Sequence, residues 1–410
     1  MSAGGGRSVA VHQVLATLGY GDAIGNQVLG IQRALSAAGY RSDIFVETAD
    51  PRLESRTRDF RELAGESHPD NILIHHFSIG SKASRVAYAL PDRMVLIYHN
   101  ITPPQYFVDI HKLLVRFCYH GRRELGAYVD RCDVALGDSE FNRLELQGLG
   151  FGRTGVLPVV ADFSHLDVRP NDVMAREFDD AWTNILFVGR VIPNKRIEHL
   201  IRFFARYKTR YNPRSRLLIV GSSQEFDRYQ TMLHDLVGRL GVSDVHFTGH
   251  VSNEELTAYY DVADLFLCAS EHEGFCVPLV EAFYKRIPVI AWARTAVPAT
   301  MDGAGVLYQN ADPAEVATLM DLVVGDVDLQ ERILRGQDDA LTRMAARDLS
   351  SALVSWIEQV HASPRLPASP VTPDFWQQVD TTERVAELRL LRPAIYRALP
   401  SGTRASGISA

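Results

Sequence analysis

The segment Glu271-His-Glu-Gly-Phe-Cys-Val-Pro-Leu-Val-Glu281 sets two carboxylates, Glu273 and Glu281, at the ends of a seven-residue spacer. The spacer holds a glycine turn and the start of a short helix. The apolar run 265–270 before it reads as a buried strand. A strand that feeds a glycine turn and then a helix N-terminus makes a site for an anion, because the first helical amides have no internal acceptor. Acids flanking that site can grip polyhydroxy groups on either side of a phosphate. Together these chemistries point to a nucleotide-sugar.

A second cluster lies in Ile185-Leu-Phe-Val-Gly-Arg190-Val-Ile-Pro-Asn-Lys195. Gly189 and Arg190 fall where a strand ends, and Lys195 where the next helix begins. Two cations at one cleft mouth neutralise a diphosphate, the arginine bidentately and the lysine as a point charge. The competing reading is a pair of solvated surface cations. A third candidate is Gly19-Tyr-Gly21-Asp-Ala-Ile-Gly25, between the first strand and the first helix. It is one residue longer than the dinucleotide-binding fingerprint. Glu47 comes late for the acid that such a site uses on a ribose. A simple tight turn is the alternative, and Asp22 in this loop is a candidate to face the cleft.

The elements that must position these residues alternate. Apolar runs at 9–15, 43–47, 71–77, 94–99, 133–137 and 155–160 read as strands, with helical patterns such as 26–38 and 106–128 between them. In the first helix Val28, Ile31, Leu35 and Ala38 share a face. After a polar lapse across 161–182, a second series follows at 184–188, 216–220, 245–248, 265–269, 288–291 and 305–308. Ser252 with Glu255, and Asp312-Pro313 with Glu315, mark helix starts. This is the βαβ pattern of parallel sheets. It predicts a first domain over 1–165, a linker over 166–183, a second domain over 184–345, a returning helix over 346–363 and a tail over 364–410. The tail is proline-rich at 364–373 and carries a basic helix at about 381–398, with Arg384, Arg389, Arg392 and Arg397. Two such domains leave a cleft between the C-terminal edges of their sheets, where open α/β folds bind ligands.

The bounds agree with an ordinary globular protein. The chain has 410 residues, 46% hydrophobic and 23% charged, enough for about two to three domains. A net charge of -7 argues against nucleic acid as a partner. Cys118, Cys132, Cys268 and Cys276 match no metal spacing and no disulfide framework. With no apolar run of signal-peptide or membrane-spanning length, the expectation is a cytoplasmic protein.

In order and spacing, Phe187-Val-Gly-Arg190 with Lys195, Leu218-Ile-Val-Gly221, Phe247-Thr-Gly249-His-Val-Ser and Glu273 to Glu281 closely resemble the C-terminal half of family 4 retaining glycosyltransferases. The N-terminal half is similar more loosely, through the glycine loop, Tyr98-His99-Asn100, Asp138-Ser-Glu-Phe141 and Leu157-Pro158 leading to Asp162. The resemblance covers about residues 8–361. It implies a GT-B fold, two Rossmann-like doubly wound domains facing a cleft, here followed by a helical tail. It also implies a donor site at Gly21, Gly25, Gly189, Arg190, Lys195, Glu273, Gly274, Phe275, Cys276, Val277 and Glu281. Arg190 and Lys195 would hold the diphosphate, the amides of Phe275, Cys276 and Val277 would complete the anion site, Glu273 would touch the transferred sugar and Glu281 the ribose. His99 would stand beside the sugar, with Asp22, His76 and Asn100 on the acceptor side. Cys276 departs from the family, which often has glycine there.

The expected activity is a retaining, metal-independent hexosyl transfer from a nucleotide diphosphate sugar to a saccharide or lipid-linked acceptor, in envelope or extracellular polysaccharide assembly. GDP-mannose is the favoured donor and a UDP-hexose the next. No cofactor is required. The alternatives are a nicotinamide-dependent oxidoreductase using the glycine loop, and a catalytically silent scaffold. His75-His76 lacks a third ligand at metal spacing, and Asp326-Val-Asp328 reads as surface. Lys112, Arg116, His120 and Arg123 fall on one face of the helix at 106–128, with Ile110, Leu113, Leu114 and Phe117 on another. That pattern fits either docking on an anionic membrane or a solvated face.

Overall fold

A computed structural model describes residues 9–367 apart from 158, 160 and 161, together with 389 and 393. The basic tail helix expected at about 381–398 therefore lies outside the described residues, save for 389 and 393. The strands are β1 (Val11–Leu18), β2 (Ile44–Ala49), β3 (Arg58–Asp59), β4 (Ile72–Phe77), β5 (Arg93–Tyr98), β6 (Val134–Gly137), β7 (Thr154–Val156), β8 (Thr183–Val188), β9 (Ser215–Val220), β10 (Val245–Gly249), β11 (Leu265–Cys268), β12 (Val289–Trp292) and β13 (Val306–Tyr308). The first sheet runs β3-β2-β1-β4-β5-β6-β7 and the second β10-β9-β8-β11-β12-β13. Every pairing in both is parallel.

Parallel strands need crossovers, and helices on both faces bury the strands completely. β4, β5 and β9 are accordingly buried along their whole length. In each sheet the order reverses beside the first strand, at β1/β4 and at β8/β11. Loops leaving adjacent strands there diverge to opposite faces and open a crevice. The candidate cations follow β8 and the two-glutamate segment follows β11, so one switch point gathers both.

Several elements differ from expectation. The helix expected over 106–128 is a 3-10 turn at Pro104–Phe107 followed by a helix at Lys112–Ala127. Asp109, at φ 61°, breaks the register, and His111 caps the second piece by accepting from the Leu114 amide at 3.1 Å. The polar stretch read as a linker contains the helix Asp172–Phe178, capped by Asn171. The helix Leu349–Ala362 buries Leu353, Ile357 and Val360 among Ile31, Ile72 and Val95 of the first domain. Arg93, paired with buried Asp133, ties its end down by donating to the Ser363 carbonyl at 2.9 Å. Ser252 and Glu255 form a complete capping box.

Candidate active site

At the β8/β11 switch point the glycines are needed for close backbone approach. Gly189 lies at φ 149° and Gly221 at φ 147°, and a Cβ on Gly221 would sit 2.0 Å from the Gly189 carbonyl oxygen. Arg190 follows on an exposed turn. Its guanidinium lies over the Phe226 ring at 5.6 Å, and among the described residues it has no carboxylate partner. Lys195 closes the short turn Pro193–Lys195 and donates from Nζ to Glu273 Oε1. Burial pushes the Lys195 ammonium towards neutrality, but the Glu273 carboxylate, together with Cys276 and Cys268, offsets it and the net shift is upward.

The loop between β11 and the helix Val277–Tyr284 is held from several sides. Asn194 donates to the His272 carbonyl at 3.0 Å and accepts on its own carbonyl from the Glu271 amide at 2.9 Å. The Glu273 amide donates to Thr295 Oγ1 at 2.9 Å, and Thr300 donates to the Phe275 carbonyl. Cys276 caps the helix in the left-handed region at φ 77°. A side chain held there costs roughly 1–3 kcal/mol. The Phe275, Cys276 and Val277 amides donate to no other described group. Three open N–H groups at a helix start, with Arg190 and Lys195 after the neighbouring strand, are groups of the kind that can hold an anion.

Glu281 is 7% exposed. Its Oε2 accepts from Tyr260 at 2.7 Å and its Oε1 pairs with His165 Nε2 at 2.9 Å. Neither partner was singled out in the sequence. Tyr260 reads as one core aromatic among many, and His165 stands alone in a polar stretch with no periodic signal.

The first domain supplies the facing wall. His272 reaches across to Asn100 Oδ1 at 2.6 Å, and Asn100 donates to Asn142 at 2.8 Å. Tyr106 and Phe141 flank the His272 ring at 6.0 Å each. Phe107 packs on Phe226 at 6.0 Å, so the first domain also braces the ring beneath Arg190. Burial pulls the His272 pKa down to about 4.

The structure places the other sequence-assigned residues as follows. The His99 ring is buried, and its two nitrogens are engaged by His76 at 2.9 Å and Asp138 at 2.9 Å. It presents no free nitrogen to the cleft. The His99 main chain lies at the cleft instead, since a Cβ on Gly274 would come 3.1 Å from its carbonyl oxygen. His76 is buried between His99 and Gln13, so it cannot meet an acceptor. Asp22 caps the helix Ala23–Ala37, accepting from the Gly25 amide at 2.6 Å. Gly25 is glycine because the Gly19 carbonyl oxygen lies where its Cβ would be, 2.1 Å away. Asn100 joins the two domains. Gly21 is placed by its φ of 75° in an open turn. His75 contacts Ser84 at 3.1 Å, and among the described residues no group of three or more His, Cys, Asp or Glu is arranged to hold a metal ion.

Comparison with known proteins agrees with this geometry. The family model described as "Glycosyl transferases group 1" matches residues 173–336. A D-inositol 3-phosphate glycosyltransferase 2 of Catenulispora acidiphila is 32% identical over 233 residues, 53% of each chain. The O-antigen chain mannosyltransferase B of Escherichia coli is 24% identical over 293 residues, 65% of this chain and 72% of that one. The first of these alignments thus spans about half the relative's length. Among solved structures, the sucrose-phosphate synthase of Thermosynechococcus elongatus superposes with a TM-score of 0.68 at 17% identity, covering 87% of this chain and 100% of that one. The fold is GT-B, and the second half of the chain, over residues 173–336, is similar to the group 1 glycosyl transferases.

Proposed function

We propose that this protein is a retaining hexosyltransferase that takes its sugar from a nucleotide diphosphate donor and needs no metal. One observation carries the proposal: an arginine with no carboxylate partner among the described residues, a half-buried lysine and three open amides lie at the ends of the neighbouring strands β8 and β11. Breaking the bond between the anomeric carbon and the diphosphate oxygen builds negative charge on the leaving group. Fixed cations and N–H dipoles stabilise that charge more in the transition state than in the ground state. Lys195 meets the donor already neutralised by Glu273, so an arriving diphosphate competes with Glu273 for the ammonium. The displaced carboxylate is then free to accept from hydroxyls of the transferred sugar. Attack from the same face as departure, with the leaving phosphate taking the acceptor proton, requires no protein nucleophile.

GDP-mannose is the donor we favour, supported by family similarity and by the mannosyltransferase among the relatives; a UDP-hexose is next. The acceptor is a saccharide or a lipid-linked saccharide used in polysaccharide assembly at a cytosolic membrane face. For that membrane contact the support is the helix Lys112–Ala127. Leu113 and Phe117 on it are 51% and 47% exposed, and Lys112 and Arg123 are exposed on the same helix. No described helix is long and apolar enough to cross a membrane.

The oxidoreductase alternative has lost its footing. The glycine loop is filled by Gly19 and Asp22, and Glu47 accepts from the Ala83 amide at 2.7 Å. A thermal-shift screen of GDP-, UDP-, ADP- and dTDP-sugars, followed by donor hydrolysis without acceptor, tests the proposal. Stabilisation by one donor and slow release of its sugar are expected. Binding without turnover identifies a silent scaffold, and no binding refutes the assignment.

A further inference from the structure

The helix that carries Glu281 is gripped by the chain segment that leaves the first domain. Phe163 stacks on Tyr284 with ring centres 4.5 Å apart. Asp167 accepts from the Tyr284 hydroxyl at 2.5 Å, and Leu166 is buried in the core of the second domain. His165 sits between these anchors in the turn Ser164–Leu166. Its position is therefore set by the segment joining the domains, not by the sheet it serves.

The Glu281 carboxylate offers about four acceptor positions, two on each oxygen. Tyr260 occupies one on Oε2 and His165 one on Oε1. Among the described residues no other group donates to either oxygen, which leaves an acceptor position on each. Two adjacent hydroxyls are the ligand that such a pair accepts. A carboxylate held by a donor on each oxygen cannot rotate away from that presentation. The His165 pKa is raised, by the Glu281 bond first and against its burial.

We propose that His165 is a positioning residue: from the interdomain segment it fixes the Glu281 carboxylate to grip the vicinal 2′,3′-diol of the donor ribose. This rests on the nucleotide-donor reading and extends it to a residue outside the nucleotide-binding domain. His165 acts through Glu281 and needs no contact with the nucleotide.

The test uses the full chain in titration calorimetry with GDP, UDP and their 2′,3′-dideoxy counterparts. Wild type should prefer the ribonucleotide by roughly tenfold or more, the scale of hydrogen bonds to a charged acceptor. His165→Ala should collapse that preference to about threefold or less, leaving dideoxynucleotide affinity unchanged. His165→Gln keeps one N–H donor and should restore part of it. In turnover assays the donor KM should rise while kcat holds. A structural role alone would weaken both nucleotides equally. Full ribose preference in both variants overturns the inference with the donor reading intact; a wild type that binds neither nucleotide overturns both. If His165→Ala fails to fold, His165→Gln and Tyr260→Phe carry the comparison.

Discussion

Gly274→Ala isolates the contact between the two domains. A Cβ at that position would lie 2.7 Å from Asn100 Cβ, 3.1 Å from the His99 carbonyl oxygen and 3.3 Å from Asn142 Nδ2. All three belong to the first domain, while Gly274 belongs to the second. Gly274 is not among the residues of positive φ, so alanine fits the second domain's own backbone. The clash exists only when the domains meet as they do here. Inserting a methyl into a packed contact costs about 1–3 kcal/mol. At about 1.4 kcal/mol per tenfold, the ratio of closed to open molecules falls roughly 5- to 150-fold. If transfer needs this closure, kcat/KM falls by that factor while the melting temperature hardly moves. Small-angle scattering should show a larger radius of gyration. A kcat/KM within twofold of wild type, with unchanged scattering, would refute the reasoning.

Lys195→Ala should lower kcat roughly 100- to 1,000-fold, the usual effect of deleting one charge-stabilising donor; a rate close to wild type counts against Lys195 on the diphosphate. Glu281→Ala should chiefly raise the donor dissociation constant, and an unchanged constant measured by calorimetry removes its ribose role. Burial pulls His75 and His272 down to about 3 and about 4. Both are neutral in the folded chain at pH 5 to 6, while the unfolded chain takes up protons as pH drops below about 6.5. Stability is therefore full above that pH and falls as the pH is lowered toward 4, by on the order of 3 kcal/mol for His272. Denaturant melts of wild type and His272→Gln should diverge in slope across this window; parallel curves would remove His272 from the account. Paired Leu113→Glu and Phe117→Glu changes should abolish flotation with anionic vesicles and leave turnover on a soluble acceptor intact; unchanged flotation would refute the docking face.

The two sheets were legible because buried parallel strands are near-continuous apolar runs, and each such run became a strand within a few residues. β3 escaped because it is two polar residues, Arg58 and Asp59, on an edge. The break at Asp109 escaped because Tyr106 and Ile110 keep helical spacing across it; a left-handed residue leaves no trace in hydrophobic periodicity. The helix Asp172–Phe178 has one buried residue, too few for a stripe. At the site, Arg190, Lys195 and the two glutamates stood out because charges at predicted strand ends are conspicuous. Their pairings did not. Strand-end histidines look alike whether they face a ligand or, like His76 and His99, point inward to Gln13 and Asp138. The capping role of Asp22 was readable, since Asp before an apolar helix face is a standard N-cap.

The segment 271–281 ties these observations to one physical consequence. Glu271 pairs with Arg196, His272 with Asn100 of the facing domain, Glu273 with Lys195, and Glu281 with His165 of the joining segment. The open amides at 275–277 sit in the middle of these attachments. Their direction is set jointly by both domains and by the chain between them. Splitting the domains would release the His272 contact from one side and load the His165 contact from the other. On the proposed reading, a donor held by these amides would bind the closed arrangement better than an open one. Binding linkage is reciprocal: whatever factor closure adds to donor affinity, the donor adds to closure. Substitutions at Asn100 or His272, which touch no phosphate, should thus weaken donor binding by the same factor by which they open the cleft.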